Sequence, residues 1–355
     1  MKILIDLGHP AHIHYFKNFI QIMTLRGHEF LLVARDKDVL HQLISNLGMK
    51  FVNRGKGEKG LFSRILYLIK TDLKLYFLAR KFRPDLFLSF ASTYAAHASF
   101  LYRKPHIVLD DTEHSKLELM LYSPFSESIL NPSSFWKKYS SKQIFFDSFI
   151  ELSHLHPKYF QPNINILGKY NLERDETFFV IRFVSWEASH DVGEGGLTLM
   201  EKIKIVEFLS KKGKVIISSE MNLPQNLENY RLKIDPQDLH NLLFYSQLYI
   251  GEGATTASEC IILGTPAIYI NSLNAGTISE QAEKYGLVSL RNSQRIFEKI
   301  DDLLLDGAKE NALMNRQKLL AEKIDITQFL VWFVEKYPIS RSEIMIDSHY
   351  QYKFK

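Results

Sequence analysis

Residues 249–270 read Y-I-G-E-G-A-T-T-A-S-E-C-I-I-L-G-T-P-A-I-Y-I, the pattern of a strand, a glycine-rich turn, a short helix and a second strand. Gly251 and Gly253 allow the backbone to turn tightly and leave amide groups uncovered. The helix that follows places its positive end at the same point. Hydroxyl groups stand close by, on Thr255, Thr256 and Ser258. The stretch therefore predicts an anion site, although a strand-to-helix turn of this kind also has a purely structural interpretation.

Glu259 follows the turn, inside the first turns of the predicted helix. A carboxylate at this position can accept hydrogen bonds from both hydroxyls of a ribose while the turn holds the attached diphosphate. Gly264 and Pro266 then end the helix and start the next strand.

The spacing of Glu259, Gly264 and Pro266 behind a small-residue turn resembles the nucleotide-sugar site in the C-terminal domain of GT-B enzymes. Two such relatives are the N-acetylglucosaminyltransferase that makes lipid II and the non-hydrolysing UDP-N-acetylglucosamine 2-epimerases. From its opening G-H-P-x-H to L-G-T-P-A-I the chain resembles DUF354, a GT-B-like family of unknown function. The matching Glu of the relatives holds the nucleotide ribose, which implies the same role for Glu259.

The resemblance implies an α/β chain of two Rossmann-like doubly wound domains that face each other across a cleft, with the nucleotide in the C-terminal half. The length of 355 residues suits two domains. We assign residues 1–165 to an acceptor-side domain, 166–337 to a nucleotide-sugar-binding domain and 338–355 to a polar tail. The polar residues 161–177 are the predicted linker, about which the two halves are expected to close on a ligand.

Composition narrows the class of protein. The chain has 46% hydrophobic and 24% charged residues, as a folded soluble protein does. The apolar start is too short for a signal peptide, and no uncharged run is a convincing membrane span. A single cysteine, Cys260, excludes an internal disulfide. We therefore expect a cytoplasmic protein. We expect no nucleic-acid partner, because no nucleic-acid motif is present.

Charge differs between the halves. Residues 1–167 hold 22 basic and 14 acidic residues, whereas residues 168–355 hold 22 basic and 26 acidic ones. The net charges are therefore +8 and −4. A basic first half suits an anionic acceptor or an anionic membrane surface, and it is also compatible with an ordinary solvated surface.

The N-terminal strand at residues 2–7 leads into a turn that contains three histidines, before a helix predicted from about Tyr15 to Arg26. Gly8 is a predicted substrate-binding residue of this turn. His12 lies fifteen residues before the helix-ending Gly27, as does the histidine of the corresponding loop in the lipid II transferase, which implies a catalytic role. Zinc is the alternative for the histidines, but no second ligand cluster stands at metal spacing, and we predict no metal.

A second acidic group follows the strand predicted at residues 106–109. The sequence there is D-D-T-E-H, and the epimerase motif H-V-E-A-G-L-R is loosely echoed with Glu113 at its Glu. Asp110 and Glu113 are therefore predicted catalytic residues. The alternative is that Asp110, Asp111 and Glu113 cap the helix that begins near Ser115.

Four further residues complete the predicted site. Arg182 ends a strand and can neutralise a diphosphate. His190 lies in the following loop and matches the epimerase histidine by its distance to the next helix. Glu280 and Gln281 follow the second strand of the organising stretch, where they can contact sugar hydroxyls.

The helix predicted from Leu61 to Phe82 has one apolar stripe, formed by Phe62, Leu66, Ile69, Leu73 and Phe77, and a second stripe of lysines. Such a helix can lie on an anionic bilayer. Its apolar residues extend nearly all round, however, and this pattern favours burial against the sheet. Peripheral contact with the inner membrane face stays the alternative.

These patterns favour a glycosyltransferase that takes a nucleotide-diphosphate sugar and a glycan or lipid-linked acceptor, as in cell-surface polysaccharide biosynthesis. The base would be His12, Asp110 or Glu113, and the nucleotide sugar is a substrate, so that no cofactor is expected. A 2-epimerase, with Glu113 and His190 acting on a UDP-sugar alone, is one alternative. A nucleotide-sugar-binding protein without chemistry is the other.

Overall fold

A computed structural model describes residues 1–37, 39–58, 60–183, 197–219, 223–273 and 275–355. They form two compact units. Unit 1 comprises Met1–His154 and Lys323–Lys355, and unit 2 comprises Leu155–Glu322.

Unit 1 is built on a seven-stranded sheet whose paired strands all run parallel. The strands are β1 (Lys2–Leu7), β2 (Glu29–Arg35), β3 (Phe51–Gly55), β4 (Leu86–Phe90), β5 (His106–Leu109), β6 (Ser128–Pro132) and β7 (Gln143–Phe146). Their order is β3-β2-β1-β4-β5-β6-β7, the order of a doubly wound Rossmann-like sheet. The central strands are buried apolar runs, as a sheet covered on both faces requires.

Helices connect these strands. They are α1 (Pro10–Leu25), α2 (Leu40–Asn46), α3 (Leu61–Phe82), α4 (Thr93–Tyr102), α5 (Lys116–Tyr122) and α6 (Leu152–Leu155), the last of which crosses the boundary between the units.

Unit 2 has a five-stranded parallel sheet of order β12-β11-β10-β8-β9. Its strands are β8 (Phe178–Arg182), β9 (Lys214–Ile217), β10 (Leu248–Gly251), β11 (Ala267–Ile270) and β12 (Val288–Leu290). Its helices are α7 (Ile166–Lys169), α8 (Leu199–Ser210), α9 (Gln225–Glu228), α10 (Leu239–Tyr245), α11 (Ala254–Leu263), α12 (Gly276–Lys284), α13 (Ile296–Leu303) and α14 (Ala308–Glu322). The prediction of two Rossmann-like α/β domains is therefore confirmed.

Each sheet has one point where the strand order reverses direction. In unit 1 it lies between β1 and β4, and in unit 2 it lies between β8 and β10. Ligands of open parallel sheets bind at the carboxyl ends of the strands beside such a point. The residues that follow these four strands are therefore the candidate ligand-binding positions of the two sheets.

The C-terminal segment belongs to unit 1, whereas the sequence analysis assigned residues up to 337 to the second domain. Lys323 forms a 2.6 Å ion pair with Asp147, and Glu335 at the end of α15 (Ile326–Glu335) forms a 2.7 Å one with Arg26 of α1. The residues predicted as a polar tail form α16 (Ile339–Ile346) and a 3₁₀ helix, Ser348–Phe354. Trp332 of α15 stacks on Tyr350 there.

The segment predicted as a linker, residues 161–177, lies within unit 2. Lys169 and Tyr170 follow the buried Leu167 and both contact the carboxylate of Asp238, beside α10, at 2.6 and 2.8 Å. The polar residues that resemble a hinge in the sequence therefore hold α7 against the body of the unit.

Helix α3 also differs from its prediction. Its buried face consists of Thr71, Leu75 and Ala79, and the predicted apolar stripe from Phe62 to Phe77 is exposed. The expectation that this stripe packs on the sheet was therefore wrong. Among the residues that the structure describes, no helix combines the length and the apolar character that crossing a membrane requires.

Candidate functional site

The carboxyl ends of β8 and β10 bring Arg182 and the glycine-rich turn together in unit 2. Arg182 and Gly251 are neighbours across the two strands, and the Glu252 amide donates to the Arg182 carbonyl at 3.3 Å. Arg182 is half-buried. The sequence predicted both residues as substrate ligands, and the strand register places them side by side.

The φ angle of Gly251 is not positive, so its backbone conformation does not require a glycine. Close packing requires it. A Cβ at this position would occupy the space of the Tyr249 hydroxyl. Gly253 is different, because an added Cβ there meets none of the described residues within 4 Å. The first glycine thus serves the packing of the turn, and the second leaves open space in front of α11.

The N-terminus of α11 has the features of an anion site. Gly253 is its N-cap and offers no side chain to the first amides of the helix. Thr255 in the first turn is exposed, whereas Thr256 is largely buried. Uncapped amides at the positive end of a ten-residue helix favour a phosphate or carboxylate.

Glu259 lies one turn further along α11 and is buried. Its Oε1 lies 3.1 Å from Nε2 of His240 on α10. The contact fixes the carboxylate relative to the start of the helix. His240 was not predicted from the sequence, which offers no signal that links it to a residue 19 positions away.

Two other predicted ligands contact each other. Gln281 on α12 is fully buried and donates to the Ser258 hydroxyl at 2.7 Å. Glu280 forms a 3.0 Å ion pair with Lys284 of the same helix. In this structure Ser258 and Gln281 join α11 to α12, and their predicted contact with a sugar stays a prediction.

Glu252, between the two glycines, is a residue that sequence reasoning missed. It is buried, pairs with Lys202 of α8 at 3.0 Å and accepts a 2.8 Å hydrogen bond from the Leu197 amide. Its own carbonyl accepts from the Asn271 side chain. Burial lowers the pKa of Lys202, which the nearby Glu252 carboxylate partly offsets. Glu252 therefore fixes the turn to α8 and to the chain at Leu197 through its carboxylate, and to Asn271 after β11 through its carbonyl.

His190, a predicted catalytic residue, lies outside the described residues, which omit 184–196. The structure therefore gives no position for it.

In unit 1 the corresponding point between β1 and β4 contains Gly8 and His12. Helix α1 begins at Pro10, so that His9 is its N-cap and His12 lies in its first turn, not in a loop as predicted. Proline at the first helical position is the signal that the sequence analysis overlooked. The Gly8 amide donates to Nδ1 of His12 at 3.2 Å.

This contact defines the chemistry of His12. Burial, together with the charges of His9, Arg54 and Lys37, holds the pKa of His12 well below its usual value. The ring is therefore neutral, and because Nδ1 accepts a hydrogen bond from the Gly8 amide, the ring proton is on Nε2. His12 is prepared to donate a hydrogen bond and poorly suited to take up a proton.

A buried ion pair supports this point. Arg54 lies 2.9 Å from Asp6 of β1, and Asp6 also accepts a 2.5 Å hydrogen bond from Ser92. The guanidinium stacks over the Tyr94 ring at 4.4 Å. Arg54 is itself buried on β3. The pair links β1, β3 and the start of α4.

The acidic residues after β5 separate into two kinds. Asp110 is buried, and its two carboxylate oxygens accept from the Thr112 amide at 2.9 Å and the Tyr122 hydroxyl at 2.5 Å. Burial raises the pKa of Asp110 to about 7, although these hydrogen bonds oppose the shift. Asp110 is consequently committed to contacts inside unit 1.

Asp111 is the accessible carboxylate of the group. It is half-buried, and its Oδ1 accepts from the Thr112 hydroxyl at 3.1 Å. Burial raises the pKa of Asp111 to about 6, with a further contribution from the Glu113 carboxylate. Glu113 itself is buried. Asp110 and Glu113 were predicted from the sequence as catalytic residues, and Asp111 only as a possible helix cap.

Substituting Gly251 should destabilise the fold. For Gly251→Ala we expect a loss on the order of 1–3 kcal/mol in the free energy of unfolding, because the new methyl group collides with the buried Tyr249 side chain. The matched control is Gly253→Ala, which should stay within about 0.5 kcal/mol of the wild type. Urea unfolding of the two variants measures both values, and equal stabilities would contradict the packing argument.

Comparison with known proteins is consistent with this architecture. An uncharacterised protein of Methanocaldococcus jannaschii is 25% identical over 283 residues, which are 76% of this chain and 81% of that protein. The structure of the Neisseria meningitidis UDP-GlcNAc 2-epimerase bound to UDP-GlcNAc aligns with a TM-score of 0.66 at 13% identity. The alignment covers 95% of this chain and 100% of the epimerase chain.

A glycosyltransferase has the same overall fold. The structure of the spinosyn rhamnosyltransferase in complex with the spinosyn aglycone aligns with a TM-score of 0.62 at 15% identity. The alignment covers 95% of this chain and 100% of the rhamnosyltransferase chain. These likenesses show a GT-B-type fold. The model of one family, described as a protein of unknown function (DUF354), matches residues 1–284, and the chain belongs to that family.

Proposed function

We propose that this protein is a GT-B-type glycosyltransferase whose donor is a nucleotide-diphosphate sugar. The observation that carries the proposal is the grouping of Arg182, the open turn at Gly253 and the uncapped N-terminus of α11 at the point where the unit 2 sheet reverses its order. Fold neighbours that bind UDP-GlcNAc or transfer rhamnose support it.

On the donor side, the leaving diphosphate would lie against the first amides of α11. Arg182 and the positive end of the helix would neutralise its charge as the glycosidic bond breaks, and the exposed Thr255 would add a hydroxyl donor. Glu259, oriented by His240, would accept the ribose hydroxyls. These groups would neutralise the charge of the leaving diphosphate, and no cofactor would be needed.

On the acceptor side, we assign the general base to Asp111. A base must reach the hydroxyl that it deprotonates, and its pKa should lie near the working pH. Asp111 is the accessible member of its cluster and has a raised pKa, whereas both oxygens of Asp110 are occupied. The acceptor would be a glycan or a lipid-linked glycan, as in polysaccharide biosynthesis, and His12 would donate a hydrogen bond from Nε2.

A 2-epimerase is the second candidate. It is favoured by the fold neighbours that are UDP-GlcNAc 2-epimerases, in Methanocaldococcus jannaschii as well as Neisseria. In that reaction Glu113 and His190 would move the proton at C2 of the sugar, and no acceptor would take part. The transferase is preferred because Glu113 is buried, whereas Asp111 is accessible for an acceptor.

One experiment separates the candidates. The protein is incubated with UDP-, GDP- and dTDP-sugars in D₂O, with and without glycan and lipid-linked acceptors. A transferase releases nucleoside diphosphate only when an acceptor is present, whereas an epimerase incorporates deuterium at C2 without one. Tight binding of a nucleotide sugar with neither outcome would identify a binding protein without chemistry, and no binding at all would overturn the proposal.

Gly253→Ala tests the donor site directly. Among the residues that the structure describes, none lies within 4 Å of the added methyl group, which should therefore leave the fold intact and obstruct a diphosphate that approaches the α11 amides. Loss of one charge-assisted hydrogen bond predicts an affinity about ten- to 100-fold lower for the nucleotide sugar. Calorimetry measures the affinity, and thermal unfolding confirms that the fold is retained. Unchanged affinity would place the diphosphate elsewhere.

A further inference from the structure

Helix α3 has a buried and an exposed apolar face. Thr71, Leu75 and Ala79 are buried, and the last two pack with Leu4 and Phe87 of the sheet. On the opposite side six large apolar side chains are between about half and three quarters exposed: Phe62, Ile65, Leu66, Ile69, Leu73 and Phe77. The inner face therefore accounts for the packing of α3 on unit 1, and the outer apolar face requires another explanation.

The exposed side chains form one continuous row, which we call the α3 stripe. Their spacing of three or four residues places them on a single side of the helix. From Phe62 to Phe77 the row is about 22 Å long, at 1.5 Å per residue. Single exposed apolar residues are common, but a continuous row of this length with Phe62 76% exposed marks an interaction surface.

The charges around the α3 stripe identify its partner. Residues 61–83 contain six basic residues and one acidic residue. The acidic one, Asp72, is paired with His97 at 2.7 Å. The basic side chains are all exposed, namely Arg64, Lys70, Lys74, Arg80, Lys81 and Arg83. A protein partner with an apolar groove would not need this excess of positive charge, whereas an anionic lipid surface does.

The neighbouring helix extends the same surface. Helix α4 packs against α3, and its exposed Phe100 and Leu101 are followed by the exposed Arg103 and Lys104. Apolar side chains next to basic ones thus recur on the adjacent element.

We infer that α3 lies along the surface of an anionic bilayer, with the α3 stripe inserted among the acyl chains at the headgroup boundary and the lysines and arginines on lipid phosphates. The inference goes beyond the proposed function, because binding depends only on the surface of unit 1 and requires no nucleotide sugar.

The test is co-sedimentation of the full chain with phosphatidylcholine vesicles, with and without phosphatidylglycerol. We expect binding to the anionic vesicles that decreases with added salt, and little binding to the neutral ones. Leu66→Gln with Ile69→Gln should abolish it. Lys70→Gln with Lys81→Gln should weaken it about 30-fold, since each basic residue near an anionic surface contributes about fivefold.

The matched control changes two exposed apolar residues of α16 in the same unit, Ile339→Gln with Ile346→Gln. It should bind anionic vesicles like the wild type. Light scattering without lipid is measured in parallel. The inference is overturned if the wild type does not sediment with anionic vesicles or if the control variant loses binding equally. It is also overturned if the Leu66/Ile69 substitutions convert a dimer to a monomer, because that result would identify a second copy of the chain as the partner.

Discussion

Asp111→Asn is expected to lower kcat by about 10²–10⁴-fold, the contribution of a well-placed general base. The amide cannot take up the acceptor proton, but it can keep the 3.1 Å hydrogen bond from the Thr112 hydroxyl. The wild-type rate should rise with pH through about 6 and then level off, because the base must be ionised. The measurement is kcat against pH, with the donor and acceptor that the screen identifies. A variant with unchanged kcat would exclude Asp111 as the base.

Asp110→Asn is the comparison, since the same change falls on the adjacent but buried carboxylate. Burial raises the pKa of Asp110 from 3.8 to about 7 in the folded protein. A raised pKa contributes stability that is present below the unfolded value and is lost as the pH rises through the folded one. The ionised Asp110 therefore destabilises the fold above pH 7, and the neutral amide does not.

The expected result is that Asp110→Asn becomes more stable than the wild type as the pH increases from 4 to 7, by on the order of 2–4 kcal/mol at the plateau. The amide can still accept from Thr112 and contact Tyr122. Urea unfolding at several pH values measures the difference. A constant difference across this range would mean that the pKa of Asp110 is not raised.

The fold could be predicted from the sequence where a local pattern of residues is compatible with only one local structure. The strand, glycine turn, helix and strand predicted at residues 249–270 correspond to β10, α11 and β11. Gly264 ends α11 in a left-handed conformation with φ 77°, which a glycine adopts without strain. Alternating strands and helices at this spacing require parallel sheets, so the doubly wound class followed from the order of the elements.

Helix α3 was not predictable in the same way. Apolar residues occur on both of its faces, and periodicity alone does not say which face meets the sheet. Thr71 and Ala79 are smaller than every residue of the α3 stripe, and the face that carries them is the one that is buried. The return of residues 323–355 to unit 1 depends on contacts such as Lys323 with Asp147, which are 176 residues apart.

The same distinction applies to the site. Arg182 and Gly251 are the last residues of β8 and β10, and strand ends meet at one edge of a parallel sheet, so their proximity could be predicted. The buried pair of Lys202 and Glu252 joins residues 50 positions apart and has no sequence signal. Asp110 and Asp111 are identical residues in adjacent positions, and only the packing of Tyr122 shows which of them is committed to the interior.

Glu259→Ala is expected to weaken nucleotide-sugar binding about ten- to 100-fold, because a charge-assisted hydrogen bond to the ribose contributes about 1.5–3 kcal/mol. The alanine also removes the 3.1 Å contact between Glu259 Oε1 and His240 Nε2. The variant is therefore compared with Glu259→Gln, which keeps a hydrogen-bond acceptor for His240 but removes the negative charge. Glu283→Ala, an exposed carboxylate on α12, is the control for net charge.

The pattern across these variants separates ligand binding from folding. If Glu259 binds the ribose, both Glu259 variants lose affinity by calorimetry, whereas only the alanine variant loses thermal stability. If Glu259 serves only to hold His240 and α10 against α11, the glutamine variant binds the nucleotide sugar as tightly as the wild type does. That second result would remove the ribose contact from the proposal. The diphosphate site would still be tested by the Gly253 variant, because Gly253 is the N-cap of α11 and Glu259 lies in its second turn, where they would contact different parts of the donor.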